Sequence, residues 1–153
     1  MSITTVPTPR ISLKSLAPES YRAMAALGRS VTLDPQLRGL VNVRASQING
    51  CAYCVDTDGS EAIAHGEDPR RLAALAAWHD SPFFTPRERA ALAVTDAVTR
   101  LPDAGLPDDV YAAAREHFDD EELAQLLFAV LVINAWNRIG VPTRMAPPRL
   151  AGA

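Results

Sequence analysis

Cys51 and Cys54 are the two cysteines of a 153-residue chain, separated by Ala52 and Tyr53. Thiols three positions apart on a helix share a face and lie close enough to bond without unfolding anything, so the pair can cycle between dithiol and disulfide. Asn49 and Gly50 interrupt one apolar pattern, and a helical pattern resumes through Ile63, which places the pair at a helix N-terminus. Unpaired backbone N–H groups and the positive end of the helix dipole there favour a thiolate, the form that attacks peroxides and disulfides. Two other readings stand beside this one. The cysteines are small buried hydrophobes, or they are half of a zinc site, for which the chain has no second CxxC and no pair of histidines at ligand spacing.

A redox thiol needs somewhere to put its proton. Asp58 lies four residues past Cys54 and seven past Cys51, on their helical face, and is the candidate proton acceptor, whereas Asp56 points away. Ionised and roughly 6 Å from Cys54, it would repel the thiolate by about 3 kcal/mol at an effective dielectric of 20. Desolvated, with its pKa raised, it would instead accept the thiol proton. Glu61 sits a turn further on, and His65 would be roughly 16 Å from Cys54 along an unbroken helix, beyond direct contact. Asp58 and Glu61 also read as a solvated face, and Gly59 between them costs about 1 kcal/mol of helix stability relative to alanine. His79 and His117, near the ends of helical segments, are assigned structural roles. No cofactor and no metal are expected.

Helices must position these residues. Asp34-Pro35, Asp68-Pro69 and Thr85-Pro86 each set a capping side chain before a proline suited to the first helical position, and Thr85 with Glu88 forms a capping box. Apolar residues then recur at helical spacing, as in Leu37, Leu40, Val41 and Ile48, while strand alternation is absent. A last long helix starts near Asp119 or Asp120 and runs towards Arg138, apolar on nearly every side, as suits a core or a subunit interface. Gly66, Gly105 and Gly140 fall where helical patterns lapse, with Pro102, Pro107 and Pro142 nearby. The expectation is an all-α fold, one domain over residues 1–153, with about seven helices, a core over about 33–138 and extended or loose ends at 1–9 and 147–153.

The composition fits that picture. An apolar share of 48%, 22% charged residues and a net charge of −3 leave no basic footprint for nucleic acid. The longest apolar run, Leu126 to Ile133, is far shorter than the ~20 residues that cross a bilayer, and the N-terminus lacks a signal pattern. A cytoplasmic protein without a membrane partner is expected.

The run Arg44-Ala45-Ser46-Gln47-Ile48-Asn49-Gly50-Cys51-Ala52-Tyr53-Cys54 resembles the core motif of the alkylhydroperoxidase D-like (AhpD-like) branch of the carboxymuconolactone decarboxylase superfamily. Trp78 with Pro82-Phe83-Phe84, Glu88 to Ala93, and Ile133 to Arg138 extend the likeness over roughly 33–138. The resemblance implies an all-α homo-oligomer, a trimer or hexamer, with antioxidant peroxidase activity. It implies Cys54 as the peroxidatic thiol, Cys51 as its resolving partner, a small hydroperoxide as substrate and an external dithiol protein as reductant. The antioxidant pattern places a glutamate twelve residues before the first cysteine and a histidine four after the second; here those positions hold Gly39 and Asp58. A redox-sensing or interaction oligomer with a weakly catalytic site is therefore the alternative to the enzyme.

Overall fold

The computed structural model describes residue 6, residues 8–101 and residues 105–148. The ends expected to be loose fall largely outside these, and Pro102 wholly so. In chain order the helices are α1 (Leu13–Leu16), α2 (Pro18–Ser30), α3 (Pro35–Asn49), α4 (Ala52–Ala64), α5 (Pro69–Ala74), a 3₁₀ turn (Leu75–Ala77), α6 (Pro86–Arg100), α7 (Asp108–Arg115) and α8 (Asp120–Thr143). Among the described residues there is no strand, and the all-α expectation is met with eight α-helices.

The start signals act as expected. The Asp34 side chain accepts from the Leu37 N–H at 3.0 Å and that of Asp68 from the Arg70 N–H at 2.8 Å, each before a proline at the first helical position. Thr85 and Glu88 close their box at 3.2 and 2.8 Å, and Asp119 with Glu122 closes a second at the head of α8.

Two boundaries differ from the expectation. Helices α1 and α2 precede residue 33, where the core was expected to begin. Helix α8 continues past Arg138 through Gly140 and Pro142, so neither residue ends it. Proline forfeits one helical hydrogen bond, but local donors close the last turn: the Thr143 hydroxyl donates to the Ile139 carbonyl at 2.6 Å and the Met145 N–H to that of Gly140 at 2.9 Å. The chain leaves the helix at Arg144 with φ of 59°.

Helix α3 is the axle of the bundle. It packs against α4, α6 and α8 and buries Leu37, Leu40, Val41, Val43, Arg44, Ala45 and Ser46. Its residues Leu37 and Val41 join Ala91 and Val94 of α6 and Leu126 and Val130 of α8 in the main core, while Leu40 and Val43 meet Leu75, Trp78, Phe84 and Leu92 in a second. Arg44, nearly buried, grips Asp96 of α6 through two bonds of 2.6 and 2.7 Å, and Arg100 adds a third at 2.9 Å. These cations hold the Asp96 carboxyl below its usual range against the opposing effect of burial.

Helix α8 has the length and mean hydropathy, 1.4 over its most apolar stretch, of a membrane-crossing segment. Its contacts are those of a core helix: Leu126, Val130 and Ile133 are buried, and Asn137, fully buried, bonds to α3. The continuous apolar run counted from the sequence misses this because Gln125 and Asn134 bound it, while the apolar residues beyond them keep the average high.

Candidate active site

The turn between α3 and α4 is what aims the cysteines. Gly50 takes a left-handed conformation, φ 68° and ψ 32°, which L side chains rarely adopt. That conformation lets the Cys51 N–H reach back to the Ser46 carbonyl at 3.0 Å, ending α3 as Cys51 begins α4. Cys51 is the N-cap of α4, its sulfur accepting from the Cys54 N–H at 3.4 Å, so the pair occupies the first turn as expected. Asn49 bolts the turn to α8: its amide donates to Asn134 at 3.0 Å and to Asn137 at 2.8 Å, and Asn137 donates to the Ser46 hydroxyl at 2.9 Å. The amides of Asn49, Asn134 and Asn137 thus all have partners, which makes this arrangement stiff rather than costly.

Cys51 and Cys54 are joined as a disulfide with Cα atoms 5.4 Å apart, and both are nearly buried. Helix α8 passes over them at Gly140. A Cβ there would lie 2.9 Å from the Cys51 sulfur and 3.7 Å from the Cys54 sulfur, so the absence of a side chain is what admits the pair. The lapse in helical pattern at Gly140 marks a close approach inside the helix and not its end.

Cys54 lines a cavity of about 360 Å³ between α2, α3, α4 and α8. One wall is apolar and aromatic: Tyr21 and Trp136 meet edge to face at 5.0 Å, beside Val132 and Ile133. The other wall is polar, with Arg38, Asn42, Asp58 and Glu61. Asp58 is therefore in the same cavity as Cys54. Burial pushes its pKa from 3.8 up to about 6, with Glu61 adding to the rise, while the Asn42 amide, donating at 3.1 Å, and Arg38 oppose it. Arg38 is turned partly away, donating to the Gly28 carbonyl at 2.9 Å. An acid that ionises near neutral pH beside a thiol can both take and return a proton.

Helix α4 is unbroken through Gly59, so His65 stays a helix length from Cys54, with its ring against the Glu61 carbonyl at 2.8 Å. His79 stacks on Trp78 at 3.6 Å and His117 gives its carbonyl to Arg87; neither lines the cavity. At Gly39 a Cβ would stand 2.8 Å from the Cβ of Ala62, so α4 occupies the space a side chain there would need. Among the described residues, no three His, Cys, Asp or Glu side chains gather to hold a metal.

Sequence reasoning passed over Tyr21, Asn42 and Trp136 as site residues. Asn42 had a readable signal: with Ser46 and Asn49, four and seven residues on, it forms an uncharged polar stripe along one face of α3. Tyr21 had none that distinguished it from other residues of an amphipathic segment.

Residues 18–97 match the carboxymuconolactone decarboxylase family. The uncharacterized protein YdfG of Bacillus subtilis is 36% identical over 135 residues, 86% of this chain and 92% of that one. A solved structure from Agrobacterium tumefaciens, described as a protein of unknown function and ascribed to AhpD antioxidant defence, superposes with a TM-score of 0.90 at 38% identity, covering 94% of this chain and all of that one. The debrominase Bmp8 shares the fold, with a TM-score of 0.75 at 18% identity over 88% of this chain and 74% of its own. The chain belongs to the carboxymuconolactone decarboxylase family, as an AhpD-like member.

Proposed function

We propose that the protein is a thiol-dependent hydroperoxide reductase that cycles the Cys51–Cys54 disulfide. The observation that carries this reading is the placement of Cys54 and the buried acid Asp58 in one cavity, with Cys51 already within bonding distance. In the reduced protein the Cys54 thiol gives its proton to Asp58. The thiolate attacks the terminal peroxide oxygen, the O–O bond breaks, and the alcohol leaves with the proton returned by Asp58. Cys54 is now a sulfenic acid; Cys51 attacks its sulfur, the disulfide forms and water departs. An external dithiol restores both thiols.

Gly39 and the Ala62 packed against it favour a second reading, a redox sensor whose pair oxidises once without efficient turnover. That a debrominase shares the fold means the substrate is set by the cavity and not by the architecture. Peroxide consumption with excess dithiothreitol separates the two. Many turnovers per protein, lost in Cys54→Ser and lowered ~10²-fold in Asp58→Ala, fit a reductase using a general acid–base. A burst of one peroxide per protein that then stops leaves the sensor.

A further inference from the structure

The two cysteines line different cavities. Cys54 lines the cavity of about 360 Å³ described above and Cys51 does not; Cys51 lines a separate cavity of about 200 Å³ with Gly50, Ala52, Gly140, Val141 and Arg144, and Cys54 does not. Met145 stands in the wall of both. With Cys51 only 2% and Cys54 5% exposed, each sulfur is approached down its own cavity.

Thiol–disulfide exchange is a displacement in which the incoming sulfur, the attacked sulfur and the leaving sulfur lie in line. A donor in the smaller cavity therefore meets Cys51 and expels Cys54 towards the larger one. We infer that the smaller cavity is a reductant site, distinct from the peroxide site, that takes the thiol arm of a dithiol carrying an acidic group. The acidic group is set by Arg144, which among the described residues is the one charged side chain lining this cavity and makes no ion pair.

The donor thiol ionises, losing its proton to solvent, and its thiolate attacks the Cys51 sulfur; the disulfide breaks with its electron pair on Cys54, and Cys54 takes one proton back from solvent by way of Asp58, one turn on in its own cavity. The donor's second thiol then attacks the donor sulfur of the mixed disulfide. The donor leaves as its own disulfide, and Cys51, released as a thiolate, takes the second thiol's proton. Reduction and peroxide attack thus use opposite ends of one bond, and spent donor need not leave through the substrate cavity. The inference extends the peroxidase reading by assigning its reducing half.

The oxidised protein is mixed with 3-mercaptopropionate or with 3-mercapto-1-propanol at equal thiolate concentration, quenched with N-ethylmaleimide, and the adducts mapped by mass spectrometry. The expected result is the mixed disulfide on Cys51 and maleimide on Cys54, formed several-fold faster with the carboxylate thiol. Arg144→Gln abolishes that preference. Val141→Trp, at an exposed position on the rim, slows both thiols at least tenfold. Adducts on Cys54, or an unchanged rate in Val141→Trp, overturn the site; equal rates for the two thiols in the natural protein overturn the acidic partner. If prereduced protein loses no thiols to hydroperoxide, the peroxidase reading fails while the adduct map still decides the side of reduction.

Discussion

An acid held above its usual range destabilises the fold once it ionises, and Asp58 is such an acid. Its pKa rises from 3.8 to about 6 on folding, so between those values the native state holds more protons than the unfolded state. Stability therefore falls as pH climbs through that interval and levels off above about 7. Each tenfold loss of acidity on folding corresponds to about 1.4 kcal/mol, which makes the penalty at neutral pH on the order of 2–3 kcal/mol. Asp58→Asn removes the ionisation and keeps an oxygen for the Asn42 amide. It is expected to raise the unfolding free energy by on the order of 2–3 kcal/mol at pH 8 and to change it little at pH 4, as read from urea melts at both pH values. A gain of equal size at both would show that packing, and not charge, is responsible. At this scale the sequence was informative: Cys51, Cys54 and Asp58 are brought together because a single helix carries all three, and helical spacing is readable. Gly140 was not, since its closeness to Cys51 comes from another helix ninety residues along the chain.

Between elements, the contact of α3 with α4 decides what the site can contain. Glycine inside a helix costs about 1 kcal/mol relative to alanine, so Gly39→Ala would stabilise an isolated α3. Its new Cβ, however, would stand 2.8 Å from that of Ala62, which moves only with the α4 backbone. Overpacking of this kind costs about 1–3 kcal/mol, so the variant is expected to lose on the order of 1 kcal/mol net. Ala62→Gly alone gives up helix propensity in α4, but combined with Gly39→Ala it relieves the contact. A double-mutant cycle in urea should return a favourable coupling above about 0.5 kcal/mol. Additive effects would mean that α4 gives way easily. The same contact explains why a glutamate at position 39 could not be accommodated by substitution there alone. Helix starts were legible because each is written in three or four adjacent residues, as at Thr85 to Glu88. The centrality of α3 was not, because a helix buried on all sides lacks the one-sided pattern that marks burial in a surface helix.

For the molecule as a whole, α8 presents two faces. Leu126, Val130, Ile133 and Asn137 point into the bundle, while Phe128 and Leu131 remain 45% and 51% exposed with the half-buried Ala135 one further turn along. Single exposed apolar residues are ordinary, but an aromatic and a leucine three apart share a helix face and present a continuous apolar surface. Such a face is expected to be covered by a second copy of this chain, in keeping with the homo-oligomer that the family resemblance implies. A stable interface buries roughly 800 Å² on each partner, more than these side chains alone supply, so they would form its centre rather than its extent. Charges at the centre cannot be desolvated cheaply. Phe128→Glu with Leu131→Glu should therefore convert an oligomer, a trimer or hexamer in sedimentation equilibrium at micromolar concentration, into monomers. The helix itself should survive, since glutamate is a good helix former and both positions are exposed in the monomer. A natural protein that sediments as a monomer, or a double variant that stays assembled, would place the contact elsewhere or remove it. If the monomeric variant keeps its rate of Cys54 alkylation, the cavity between α2, α3, α4 and α8 is complete within one chain.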